Sequence, residues 1–122
     1  MKEVKKVVIN DEEYVKASEV REQAKELDGK EYVLIRGDRS GVFVGYLGDR
    51  AGKEVTLYNA RRLWYWNGAA SLSQLAMEGV SKPQDCKFPC EVDRMLITDA
   101  IEIISVTEKA RLSIAGVEIW QK

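Results

Sequence analysis

Histidine is absent from all 122 residues, and cysteine and proline occur only twice each. Without histidine the commonest general base is missing, and with it the usual Ser or Cys triads, so the chain is not expected to be an enzyme. A zinc site needs about four ligands, and Cys86 and Cys90 in DCKFPC have no imidazole to join them. Neither a metal nor any other cofactor is expected. An excess of either charge sign is lacking too. Lys and Arg number 19 against 20 Asp and Glu, a formal net charge of -1. That balance speaks against a general nucleic-acid binder, which needs a basic face to displace counterions from phosphates. No apolar run approaches the roughly 20 residues that cross a bilayer, and the charged start MKEVKKVVINDEE has no signal-peptide core. The expectation is a cytoplasmic protein with reduced thiols and no membrane contact.

What is present suits one domain over residues 1–122, an N-terminal extension to 29 followed by a β-rich core from 30. From Asn10 to Gly29 apolar residues recur every three or four positions, with a capping-box spacing of Asn10 and Glu13 and a glycine stop, which predicts a helix. The period then becomes two. EYVLIR (31–36), VFVGYL (42–47) and EVTLY (54–58) read as strands of an antiparallel meander, joined by the nearly identical turns GDRSG and GDRAG. Gly45 marks a bulge or a close backbone approach. Leu63–Trp66 extends the third strand, and Ser71–Glu78 forms a short helix stopped by Gly79. Further short strands follow at 87–88, 94–97, 100–104 and 117–120, with a last helix opened by the spacing of Ser105 and Glu108 and ending near Gly116. The fold class is α+β, a predominantly antiparallel sheet decorated by an N-terminal helix and one or two short ones.

The chemistry concentrates in ARRLWYWNGAASLSQ, residues 60–74. Strand alternation sends Arg62, Trp64 and Trp66 to one face and Arg61, Leu63 and Tyr65 to the other. If Leu63 and Tyr65 are core, a guanidinium and two indoles share the open face, a combination that grips phosphate and stacks on a base. The competing reading makes both tryptophans core or subunit-contact residues and pairs the arginines with Asp49 or Glu54. Ser71 is an N-cap or an anion receiver, and Ser73 a donor to a ligand or a solvated hydroxyl. Arg36, Arg39 and Arg50 read as turn residues beside Asp38 or Asp49, and Phe43 as core or as a stacking platform. No Walker loop or GxGxxG is present and no nucleophile stands out, so a ligand held without being changed is the sharper expectation.

The succession EYVLIRGDRSGVFVGYL, ARRLWYWNGAASLSQLAMEGV, CKFPCEVDR and AIEIISVTEKA, over about residues 31–120, resembles a family of small phage-encoded proteins, the first-described Thoeris anti-defence sponges. The resemblance implies a helix-decorated antiparallel β fold that assembles as a homodimer or homohexamer in the cytosol of an infected bacterium. It implies as ligand a cyclic ADP-ribose isomer made by a TIR-domain enzyme, held intact between subunits, and cyclic trinucleotides at a separate site. Carried onto this chain, adenine stacks on Trp64 or Trp66, the diphosphate meets Arg61 or Arg62, and hydroxyls meet Asn67, Ser71 or Ser73, with Phe43 and Arg36 completing the candidate set. The alternative expectation is a single-stranded nucleic-acid-binding or partner-binding accessory protein, whose exposed Arg and Trp residues would be the same.

Overall fold

A computed structural model describes residues 21–122 and shows an α+β fold built on one antiparallel sheet. Its strands are β1 (Tyr32–Gly37), β2 (Val42–Ala51), β3 (Glu54–Arg62), β4 (Val92–Ile97) and β5 (Ala100–Ser105). The short helices are α1 (Leu72–Glu78) and α2 (Glu108–Ala115). The sheet order is β4-β3-β2-β1-β5, so β4 and β5 are opposite edges although only Thr98 and Asp99 separate them in sequence. In a flat sheet four strand spacings would place these edges about 19 Å apart. Three Cα steps reach at most about 11 Å. The sheet therefore curls until its edges approach each other at the 97–100 corner.

Curling creates two packed faces. Inside it, Val33, Ile35, Phe43, Val55, Leu57 and Ile97 form one cluster. Outside, Tyr32, Leu34 and Val44 pack beneath Leu75 and Ala76 of α1 and Ala110 and Ile114 of α2. The alternation of β1 supplies both clusters from one strand, which is why its burial is nearly continuous. Burial also pushes the Tyr32 phenol above its ordinary pKa, with the nearby Glu91 charge adding to the effect.

The meander forms as its sequence pattern predicts, but its two similar turns differ. GDRSG is a true loop closed by Gly37 N–H donating to Gly41 O at 2.8 Å. Asp99 clamps it, accepting from the Ser40 hydroxyl and from the Arg39 and Ser40 amides at 2.8 and 3.0 Å. These bonds, the Ser40 hydroxyl foremost, hold the Asp99 carboxyl below its ordinary pKa. In GDRAG the serine is replaced by Ala51, which has no hydroxyl to offer, and residues 48–51 remain in β2 so that the chain turns at Gly52 and Lys53. Gly45 does mark a close approach: a Cβ there would lie 2.8 Å from both Leu57 Cγ and Tyr58 O. Opposite it the β2–β3 register shifts by one residue, and Asn59 adopts φ 50°, an extra residue that resets which face the following side chains take.

Several sequence expectations are corrected. The helix predicted over 10–29 is not formed at 21–29, and its earlier part lies outside the described residues. Gln23 bridges Thr107, Ala24 N–H donates to Val106 O, and Asp28-Gly29 (φ 53° and 76°) turns the chain so that Leu27 and Lys30 pair. An Asp-Gly pair favours such a hairpin turn, and here that local preference prevails over the apolar spacing. Among the described residues five strands form, fewer than the short extended segments that the sequence pattern predicts. Residues 87–88 and 117–120 contribute isolated bridges, Tyr65–Lys87 and Phe88–Ile119, and β3 ends at Arg62 rather than continuing to Trp66. The last helix is capped by Thr107 rather than Ser105: the Thr107 hydroxyl accepts from Ala110 N–H and donates to Met77 O, whereas Ser105 closes β5 with its hydroxyl on Glu31. Among the described residues no helix is long and apolar enough to cross a membrane.

The first turn of α2 also holds a pH-sensitive tie to the 21–25 segment. Glu108 accepts two bonds from the Arg111 guanidinium, at 2.6 and 3.0 Å, and one from the Lys25 amide at 3.1 Å. Chiefly through Arg111, these bring its pKa down from 4.5 to about 2. A carboxylate with a depressed folded-state pKa contributes stability that is complete above the unfolded value and lost as pH falls through the folded one. Urea midpoints of the native chain and of Glu108→Gln are therefore expected to differ most near neutral pH and to converge as pH falls from 4.5 toward 2.

Candidate functional site

The two central arginines part company. Arg61 is 6% exposed and faces the helix-covered side of the sheet, opposite Val44. Its Nε donates to Pro89 O at 2.9 Å, Nη1 to Ile114 O at 2.8 Å, and Nη2 to Phe88 O at 3.2 Å and Val117 O at 2.8 Å. Burial lowers its pKa, an effect opposed first by Glu91 and then by Tyr32 and Cys90. With its donors spent on main-chain carbonyls, Arg61 is an interior bracket rather than an open phosphate grip. Arg62 faces the other way. Its guanidinium stands 4.5 Å over the buried Phe43 ring and donates to Ser40 O at 2.8 Å, closing one end of the inner cluster. Phe43 is thus core beneath a cation. Arg36 is separate from both, paired with Glu102 at 3.2 Å on the exposed surface.

Beyond Arg62 the alternation fails, because the chain leaves the sheet. Leu63 is buried as expected, but Tyr65 is exposed, and Trp66 is half-buried against the helical core instead of lying open. Trp64 is 62% exposed and stacks on Trp120, with ring centroids 6.5 Å apart and planes 8° from parallel. Lys87 completes the group, its Nζ 5.9 Å from the Tyr65 ring centre and 5.8 Å from that of Trp120. The Tyr65–Lys87 bridge, with N–H···O distances of 3.2 and 2.7 Å, sets the lysine there. Trp120 N–H donates to Phe88 O at 2.9 Å and fixes the last partner.

Sequence reading identified neither Trp120 nor Lys87. The available signal was faint: the third tryptophan of the chain stands in VEIW, where alternation already predicted an extended segment. Asn67 is half-buried, its amide donating to Cys86 Sγ at 3.4 Å. Ser71 is the N-cap of α1, accepting from Gln74 N–H at 3.1 Å, and Ser73 is exposed on that helix.

A recess of about 420 Å³ opens beside the aromatic pair, lined by Pro83, Gln84, Cys86, Glu118, Ile119 and Trp120 among others. None of the nine sequence-predicted residues lines it. A second recess of about 510 Å³, between the 21–22 segment and the two helices, has no aromatic ring in its lining and offers no stacking surface. The first therefore suits a planar ligand: Trp120 is part of its lining, and the Lys87 ammonium stands 5.8 Å from that ring to meet an anion. Cys86 and Cys90 are both free thiols.

No curated protein and no solved structure matches the chain. A family model described as "Domain of unknown function (DUF6948)" matches residues 30–114, from the start of the meander to the last turn of α2 but short of Trp120, and the chain belongs to that family.

Proposed function

We propose that this protein is a non-catalytic nucleotide-binding module that takes up a cyclic ADP-ribose isomer and holds it uncleaved, so acting as a viral sponge against a bacterial TIR-derived signal. The observation that carries the reading is the exposed Trp64–Trp120 stack with Lys87 against it. Adenine requires a flat apolar face and a diphosphate requires a nearby cation, and this patch offers both beside a recess large enough for part of such a ligand. The resemblance of residues 31–120 to anti-defence sponges supports the choice of ligand. In this reading the stacking surfaces are Trp64 and Trp120 rather than Trp64 or Trp66, and Lys87 takes the anion role that the sequence offered to Arg61 or Arg62.

Sub-micromolar retention requires roughly -8 kcal/mol. Stacking at about 1–3 kcal/mol per base together with a few charge-assisted bonds is of that order after ordering costs. The test is direct. Purified protein is incubated with the cyclic isomer, free ligand is removed, and the protein is heat-denatured: unchanged cyclic ligand is expected in the supernatant. Steady conversion to ADP-ribose would replace the sponge with an enzyme, and no retained nucleotide at all would overturn both. A second reading, burial of the patch against another polypeptide, is favoured by the exposed Ile119 beside Trp120. It predicts a complex without nucleotide.

A further inference from the structure

We propose that Arg61 is the positioning residue of the aromatic patch: one interior guanidinium fixes where Trp120 and Lys87 stand against Trp64 and Tyr65. Its functional meaning rests on the nucleotide-binding reading above, although the geometry can be tested without ligand. The patch is assembled from three stretches of chain, 63–66, 86–90 and 117–120, none of which is a regular helix or strand. Isolated bridges alone hold irregular segments weakly, and such segments open locally at low cost.

Arg61, the penultimate residue of β3, reaches both of the other stretches. Its bonds to Phe88 O and Pro89 O anchor the segment carrying Lys87, and its bond to Val117 O anchors the one carrying Trp120. A further bond to Ile114 O ties the same guanidinium to the end of α2, from which the tail departs. The Phe88 carbonyl is the junction, since it accepts from both Arg61 and the Trp120 amide. The Phe88 ring lies 5.5 Å from the guanidinium carbon, so the segment is held by its side chain as well. Only a planar, five-donor fork can serve four carbonyls in different directions from one position; an ammonium is a point with three donors. The bonds hold the loops around the patch rather than the sheet ladder, so their loss should disturb the Trp64–Trp120 geometry before it disturbs the strands.

Two stacked indoles give an exciton couplet in far-ultraviolet circular dichroism, which reports the pair without ligand. Trp120→Phe, with Arg61 intact, defines the signal without the couplet. Arg61→Lys is expected to lose most of the couplet while keeping the sheet signal, and to bind the cyclic ADP-ribose isomer about tenfold more weakly through lost preorganisation. A folded Arg61→Lys protein that keeps the full couplet would overturn the proposal.

Should that variant not fold, native-state hydrogen exchange of the unaltered chain decides. Arg61 guanidinium N–H protons exchanging as slowly as the Leu63 amide support the bracket; free-arginine exchange there, with Leu63 protected, refutes it. A native chain that shows the couplet but does not bind the cyclic isomer would refute the nucleotide reading and leave the role of Arg61 in the stack standing.

Discussion

Replacing Arg61 with methionine is expected to lower the unfolding free energy by about 3–5 kcal/mol, against about 1 kcal/mol or less for the same change at its neighbour Arg62. The contrast follows from what each guanidinium leaves behind. Methionine preserves much of the buried arginine stem but supplies no donor. The Phe88 and Ile114 carbonyls would retain second donors, the Trp120 and Val117 amides. Among the described residues no other donor reaches the Pro89 or Val117 oxygens, and Val117 is 4% exposed, so at least one acceptor would be stranded in the interior. At about 1–3 kcal/mol for each unpaired buried group, together with the lost charge-assisted bonds, the cost is a large part of the stability of an ordinary domain. Arg62 donates to Ser40 O at the surface, where water can substitute, and its stem over Phe43 is largely replaced by the methionine side chain. Urea unfolding of the two variants beside the native chain measures both. Equal losses would mean that the interior bracket contributes no more than a surface contact.

How much of this was legible in the sequence differs from element to element, for physical reasons. The meander and α1 were legible because their signals are local: period-two apolar residues for the strands, and Ser71 and Gly79 as the two caps of the helix. Residues 21–29 were misread because Ala24 and Leu27 fit helical spacing, while the bonds from Ala24 to Val106 and from Lys25 to Glu108 depend on a partner segment about 80 residues away. The two GDR turns were indistinguishable by composition until Asp99 was brought opposite the first of them by the curl of the sheet. The arginine and aromatic stretch drew attention to Trp64, which is exposed in the structure. Alternation could not assign its exposure, because an extra residue at Asn59 resets the faces and the strand stops at Arg62. Trp120 and Lys87 escaped notice because stacking across 56 residues is a tertiary fact, and nothing local distinguishes a tail tryptophan that packs from one that does not.

The second large effect concerns that pair. The double variant Trp64→Ala/Trp120→Ala is expected to weaken binding of the cyclic ADP-ribose isomer at least about thirtyfold, while unfolding changes by no more than roughly 1 kcal/mol. Both residues are exposed at the surface, at 62% and 42%, so removing their rings opens no enclosed interior cavity. Each stacking surface contributes about 1–3 kcal/mol to a bound base, and losing two of them takes a sub-micromolar ligand to the edge of detection. Lys87→Glu separates the electrostatic part. It replaces the ammonium beside Trp120 with a carboxylate, so an attraction that salt weakens becomes a repulsion that salt relieves, while the indole stack stays in place. Isothermal titration at two salt concentrations, with the native chain, the double variant and Lys87→Glu, resolves the two contributions. If the double variant binds as tightly as the native chain, the aromatic patch is not where the nucleotide rests. If Lys87→Glu alone is neutral, the phosphate partner lies elsewhere, and Arg62 at the end of β3 is then the next cation to replace.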